Sequence, residues 1–346
     1  MPDTRYAFMS AYLKGEEARI VALNHIDGMS KATSLNDALA RITATDIGDY
    51  FQELPTRTFD DLDEGLWRYF REYLARLEAL KLLPADMLKI LRAHVAKYDI
   101  LNIKAALHRT PTDKKTTMIP MGIIYSRGLL DELSGAEDTD GIMNVLVNCK
   151  LANYGYALRD YVVDEGPKPK LPAENRLDEE YYRSYLDIAK GIKDGLVLAK
   201  AIGLTVDLKN LQIASRAMIL GIGSGAAGYI VSGGYLLSPD AVRELLSGKL
   251  TDVAGNLRNT PYYDVAEEVA TAYNRTQSIT SVDETIDRYR FSYVKEILSP
   301  RILSPLVMAW HLNVKEIEIR NLRLVLKALL DNMPVEDIRH RLVAPL

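Results

Sequence analysis

Residues 99–103 read DILNI, residues 207–211 read DLKNL and residues 318–322 read EIRNL. Each stretch has an acid, an asparagine three places on and an aliphatic residue directly after it. On a helix that spacing puts the acid and the amide on one face. The pairs are Asp99 with Asn102, Asp207 with Asn210 and Glu318 with Asn321, placed at nearly equal intervals along the chain. So short a pattern recurs by chance, and its weight comes from other signals in the same phase. Gly122, Ser126 and Glu132-Leu133 return as Gly234, Ser238 and Glu244-Leu245, all displaced by one and the same interval. Thr45-Asp46-Ile47, Ala152-Asn153-Tyr154 and Thr260-Pro261-Tyr262 recur at almost that interval again. Leu62-Asp63-Glu64, Leu177-Asp178-Glu179 and Val282-Asp283-Glu284 recur with a looser but similar spacing. Four motifs in one order and one phase define a repeat with a period of about 108 residues.

This period divides the chain into helical-bundle repeats over residues 1–97, 98–205 and 206–313, with 314–346 opening a fourth copy. In the first copy the acid-to-asparagine motif has decayed to Glu16-Glu-Ala-Arg19-Ile20. The fourth copy continues into Pro334-Val-Glu-Asp-Ile338-Arg339, parallel to Ser238-Pro-Asp-Ala-Val242-Arg243. A repeat that is incomplete cannot bury its own apolar face. Residues 314–346 are therefore expected to dock on the degenerate first copy and close a threefold arrangement.

Hydrophobic spacing predicts an all-α chain. From Leu62 to His108, apolar positions Leu66, Tyr69, Phe70, Tyr73, Leu77 and Leu80 follow helical spacing, with Glu64/Arg68 and Glu72/Arg76 as i,i+4 charge pairs. Leu83-Pro84 restarts the chain in another helix, with Asp86 at its positive end. Further helical segments are expected near 34–54, 126–161, 178–201, 207–220, 239–250, 262–275, 282–298 and 314–331. Asp164 to Lys170 (DEGPKPK), with LPAEN after it, reads as an irregular linker because three prolines fall close together.

Composition excludes several function classes. The net charge of −4 is spread without a basic stripe, which argues against nucleic-acid binding. The single cysteine, Cys149, excludes an internal disulfide, fits a reducing compartment and reads as a buried helical thiol. The N-terminal residues lack the apolar core of a secretory peptide. Gly223, Gly225 and Gly228 fit the G-x-G-x-x-G spacing of dinucleotide binders. However, a helical run precedes them where that fingerprint needs a buried strand. The stretch from Ala217 to Pro239 is uncharged throughout, but six glycines and three serines leave too few large apolar groups for a membrane span. That loop is expected to tuck into the core or to touch an apolar partner. Asp60-Asp61-Leu62-Asp63-Glu64, with Asp283 and Asp287, suits a Mg-dependent isoprenyl-diphosphate-type enzyme using Asp60 and Asp61. Acids at helix starts in each repeat give the simpler reading of charge at a positive helix end. The five histidines, at 25, 94, 108, 311 and 340, have no metal-ligand spacing, and no P-loop or G-x-S-x-G is present. No cofactor, metal or small-molecule substrate is expected. A generic helical scaffold is the remaining alternative.

The motifs Tyr98-Asp-Ile-Leu-Asn102-Ile-Lys104 and Val206-Asp-Leu-Lys-Asn210-Leu carry a family likeness. So do the Ile230–Ser238 run, Lys315-Glu-Ile-Glu318-Ile-Arg-Asn321-Leu-Arg323 and Met333-Pro-Val-Glu-Asp-Ile-Arg339. Together they resemble the C subunits of the archaeal and bacterial A/V-type rotary ATPases, related to the d subunits of the eukaryotic V-ATPases. The resemblance covers nearly the whole chain. It departs in the degenerate first copy and in the glycine-rich loop from Ala217 to Gly234. It implies three pseudo-symmetric repeats forming a funnel, peripheral on the cytoplasmic face of the membrane. It further implies a non-catalytic rotor adapter between the membrane proteolipid ring and the central-shaft subunits, transmitting torque between ATP turnover and H⁺ or Na⁺ transport. On this reading the apolar residues Met118, Ile119, Met121, Tyr229, Ile230 and Val231 are candidate ring-facing contacts.

Overall fold

The helical spacing resolves into helices in a computed structural model describing residues 4–32, 34–51, 58–109, 118–162, 170–334 and 338–344. Among these residues there is no strand. The helices in chain order are α1 (Ala7–Glu17), α2 (Leu23–Met29), α3 (Leu35–Ala40), α4 (Asp46–Phe51), α5 (Phe59–Glu78), α6 (Ala85–His108), α7 (Ile123–Ser126), α8 (Leu130–Gly135), α9 (Thr139–Asn148), α10 (Ala152–Val162), α11 (Lys170–Lys190), α12 (Gly195–Ile219), α13 (Pro239–Leu246), α14 (Leu250–Asn256), α15 (Tyr263–Thr276), α16 (Ile279–Leu298) and α17 (Leu306–Leu330). The chain divides into two compact units, one of residues 1–91 and 298–346 and one of residues 92–297.

Local chemistry sets the helix starts. Thr58 closes a capping box with Asp61 at the head of α5. Asp138 caps α9 through Gly141 N. Ser238 caps α13, with Pro239 in its first turn. The i,i+4 pairs expected on α5 do not form. Arg68 lies over the Tyr50 ring and Arg76 over the Tyr73 ring instead, where the guanidinium gains an aromatic face.

Several expected segments are corrected. The segment near 34–54 is broken into α3 and α4, and that near 126–161 into α8, α9 and α10. The α11 helix begins at Lys170 and runs through LPAEN, because Pro172 sits in a first turn whose N–H groups need no helical partner. Only Lys170 of the Asp164–Lys170 linker lies among the described residues. The expected 178–201 helix is two helices, parted at Asp194, which adopts a left-handed conformation with φ of 56°. The last helix starts at Leu306, not near 314, because LVMAWHLNV is buried almost all round and offers no polar face to read.

In the unit of residues 92–297, α12 is the central rod and packs against α11 and α13. Leu204, Leu208, Leu211, Ala214 and Ala217 of α12 share a core with Val242, Leu245, Tyr262, Val265 and Ile286. Each large aliphatic side chain so buried stabilises the unit by roughly 1.5–3 kcal/mol. In the other unit α17 is the rod, packed against α1 and α5 and touching α2 and α3.

Candidate functional site

Both rods, and α6, carry polar side chains that are completely buried. Asp99, Asp207, Asn210, Glu318 and Asn321 are fully shielded and Asn102 nearly so. Buried polar groups must find partners, and here the partners are backbone. Asn102 donates through Nδ2 to Ile119 O at 2.9 Å and accepts Ile119 N–H on Oδ1 at 2.8 Å. Asn210 grips Val231 in the same two ways, at 2.8 and 2.9 Å. Asn321 grips Val343 at 2.7 and 3.2 Å. The gripped residue lies 17, 21 and 22 residues downstream. An amide that meets both N–H and C=O of one residue does for the loop what a neighbouring strand would do.

The acid one turn earlier holds the next stretch of chain. Asp99 accepts the N–H groups of Ile123 and Ile124, both at 2.9 Å. Asp207 accepts Tyr235 and Leu236 N–H on Oδ2 and Leu237 N–H on Oδ1, with the Tyr262 hydroxyl as a fourth donor. Burial pushes the Asp99 carboxyl up to about 6, although its two backbone bonds favour the ionised form. Burial also raises Asp207, against the opposing pull of Tyr262 and the backbone donors. This contact explains Gly122 and Gly234. A Cβ on Gly122 would stand 2.3 Å from Asp99 Oδ1, and one on Gly234 would stand 2.0 Å from Asp207 Oδ1. Gly122 in addition has a φ of +95°, which disfavours a side chain.

The third acid differs. Glu318 accepts Val21 N–H at 2.6 Å, so its loop comes from the N-terminal end of the chain. Ile20 precedes the bonded N–H where the other two sites have glycine, and the extra methylene of Glu318 leaves room for it. The second Glu318 oxygen meets Lys315 Nζ at 2.8 Å, and that ammonium also reaches Asp46 at 2.9 Å and the Tyr69 hydroxyl at 2.8 Å. Lys315 is wholly buried and lies over the Tyr73 ring at 4.7 Å. Burial raises Glu318 while Lys315 draws it down.

A second correspondence involves the acids Asp63, Asp178 and Asp283. Each takes a hydrogen bond from the side chain two places after a clamp asparagine: Arg323, Lys104 and Gln212 respectively. Asp178 also binds Lys209 at 2.6 Å, and Asp283 binds Arg216. Asp61 is engaged in the helix cap and Asp60 stands in the same first turn. The acids read as a diphosphate site are therefore largely engaged in capping and ion pairing. Among the described residues, no cluster of three or more His, Cys, Asp or Glu side chains is placed to hold a metal.

The candidate ring contacts fall around the clamps. Ile119 and Val231 are the gripped residues themselves. Met121 and Val231 are buried, whereas Met118, Ile119, Tyr229 and Ile230 are half-buried. Met121 and Val231 are thus core of the clamp and not free surface. The exposed apolar side chains lie just beyond, at Ile123 (42% exposed), Tyr235 (48%), Leu236 (47%) and Leu23 (37%). They were not legible in the sequence because an apolar residue in a loop carries no mark of exposure. GIGSGAAG follows α12 and forms a 3-10 segment over Gly223–Tyr229, with Ala226 in the core. Cys149 is buried, which pushes its thiol up and leaves little thiolate. Of Met333–Arg339, residues 335–337 lie outside the described residues.

Comparison with known proteins gives a consistent result. The profile of the ATP synthase (C/AC39) subunit matches residues 9–341. The A-type ATP synthase C subunit of Methanocaldococcus jannaschii is 21% identical over 350 residues, covering 98% of this chain and 86% of the relative. The protein of the same name from Pyrococcus abyssi is 21% identical over 341 residues, covering 97% and 90%. That from Halobacterium salinarum is 25% identical over 293 residues, covering 82% and 80%.

Proposed function

The chain belongs to the ATP synthase (C/AC39) subunit family, as a subunit without a catalytic role of its own, and from that premise we propose that it is the central-rotor adapter of an A/V-type rotary ATPase. It couples the membrane proteolipid ring to the central-shaft subunits and passes torque between ATP turnover and H⁺ or Na⁺ transport. It is peripheral, on the cytoplasmic face. No helix among the described residues is long and apolar enough to cross a membrane, which is consistent with attachment through contacts.

The observation that carries the reading is the family match over residues 9–341 taken with the three clamps. A torque-bearing adapter needs stiff walls and fixed contact loops. Long helices supply the first, and a loop tied at N–H, C=O and the following amides supplies the second. We read the three clamps as marks of three copies of one repeat, over 1–97, 98–205 and 206–313, with 314–346 completing the first. The corresponding bonds of Asp63, Asp178 and Asp283 support that division. Each repeat offers one clamped loop with an exposed apolar side chain, and these loops, with half-buried Met118, Ile119, Tyr229 and Ile230, are the proposed ring contacts.

Affinity purification of the tagged chain from gently solubilised membranes, with mass spectrometry, tests the reading. Recovery of shaft subunits and proteolipid is expected; a chain that emerges with neither rejects it. Ile123→Asp and Leu236→Asp are expected to lower proteolipid recovery by about tenfold or more, a loss of roughly 1.4 kcal/mol, without lowering the unfolding midpoint. Unchanged recovery with both variants rejects the loop assignment alone.

A further inference from the structure

The unit of residues 1–91 and 298–346 contains a polar cluster that the adapter reading does not use. His311 of α17 is wholly buried. Its Nε2 lies 2.5 Å from the Tyr73 hydroxyl of α5, and its Nδ1 lies 3.8 Å from Glu17 Oε1 of α1. That second distance is too long for a hydrogen bond. Both His311 Nδ1 and Glu17 Oε1 are buried without a hydrogen-bond partner. The other Glu17 oxygen is taken by Lys14 Nζ at 2.6 Å.

Counting protons determines which state this site accepts. A neutral imidazole has one N–H and one lone pair. With the Tyr73 hydroxyl donating to Nε2, the N–H falls on Nδ1, on the side of the Glu17 carboxylate. A second proton turns Nε2 into a donor. Tyr73 must then accept, and its own hydrogen is left without an acceptor in a closed site. The new charge also arises one turn from the buried ammonium of Lys315. Attraction to Glu17 offsets this only in part, because Lys14 already neutralises that carboxylate.

We propose that Glu17, His311 and Tyr73 form a proton-sensitive latch, which holds α1 against α17 while His311 is neutral and loosens when it is protonated. The neighbouring charges do not reverse the His311 shift, which stays downward. Around the latch, α1 contributes Tyr12, Lys14, Glu16 and Glu17, α4 contributes Asp46, α5 contributes Tyr69, Tyr73 and Arg76, and α17 contributes Lys315 and Glu318. On α2, His25 Nδ1 accepts Ala22 N–H and Asp27 pairs with Arg339, while on α3 Asp37 pairs with Arg41. Burial holds the His311 imidazole below its usual range; the nearby Glu17 carboxylate opposes that shift and the Lys315 ammonium adds to it. A depressed histidine gives stability that is complete above its unfolded value of 6.5 and is lost as pH falls through it, until the folded state also takes the proton.

The test is hydrogen exchange of α1 amides in the full-length chain from about pH 7.5 to about pH 5.5, corrected for intrinsic rates, with α16 as the internal reference. The opening equilibrium of α1 is expected to rise with acid by up to about tenfold per pH unit, the limit for one proton. It should become flat in His311→Gln, whose amide can serve both neighbours but cannot titrate. A flat wild type, or an unchanged slope in His311→Gln, overturns the latch. Should that variant fail to fold, imidazole resonances of the wild type decide: His311 is expected to stay neutral as pH falls through 6.5, and protonation at or above 6.5 overturns the proposal.

Discussion

The clamps of residues 92–297 and the clamp of residues 1–91 with 298–346 do the same work with different chain. In the first unit each long helix ties down the loop that follows it, and acid and amide both find their backbone partners within 30 residues. In the second, Asn321 holds Val343 22 residues away, but Glu318 must reach Val21, 297 residues away in sequence. A local loop closes at small entropic cost, whereas uniting the two ends of a chain closes a far longer loop at greater cost. The compensation is visible in composition. The local sites use Asp against glycine and satisfy the acid with neutral donors, backbone N–H groups joined at Asp207 by the Tyr262 hydroxyl, while the end-to-end site uses Glu against Ile20 and adds Lys315, Asp46 and Tyr69 as buried fastenings. The same bond pattern is thus served by chain connectivity in one place and by ionic chemistry in the other.

Four experiments break or sharpen this contrast. The largest effect is expected for Lys315→Met, which leaves Asp46 and Glu318 buried without their cation. It should destabilise its own unit by about 3–5 kcal/mol, and hydrogen exchange should show α12 far less affected than α17. Next comes the pair Asn210→Ala and Asn321→Ala. Each orphans one N–H and one C=O, a loss of about 2–4 kcal/mol in chemical denaturation. If connectivity matters as argued, Val343 will exchange more freely in the second variant than Val231 does in the first. Gly122→Ala should cost about 1–3 kcal/mol through backbone strain and displacement of Asp99, read as lost protection at the Ile123 and Ile124 amides. Ile20→Ala, at the matching place in the other unit, should leave Val21 protection in place. The smallest effect is expected for Arg323→Ala. Its bond to Asp63 is partly exposed, so the thermal midpoint should reflect at most about 1 kcal/mol, with part of that from lost packing on Trp67.

Much of the site was legible as residue identity and little as partnership. The acid-to-asparagine spacing singled out Asp99, Asn102, Asp207, Asn210, Glu318 and Asn321, because a polar pair repeated on one helix face is detectable without a structure. Gly122 and Gly234 were visible as a recurrence, but the reason for them was not, since it lies in the carboxylates that occupy their Cβ positions. His311 was read only as one of five histidines without ligand spacing and Lys315 only as part of a motif: in a mid-helix position a lysine reads as solvated and a lone histidine as incidental. Their spacing offered a signal, since 311, 315, 318 and 322 lie along one face of α17 with the buried acid. Met121 and Val231, offered as candidate contacts, are buried, and the sequence could not tell this because an apolar residue in a loop gives no indication of whether the core or a partner covers it.

The sequence by itself determined that this protein is helical, that its motifs recur at a near-constant interval and which polar residues mark each recurrence. These follow from local spacing, which the backbone geometry of a helix converts directly into faces. Only the tertiary structure decided what those faces hold. The partners of the clamp residues are backbone N–H and C=O groups that every residue carries alike, so nothing in a side-chain alphabet distinguishes Val21, Ile119, Val231 or Val343 until folding brings them to the buried acid and amide.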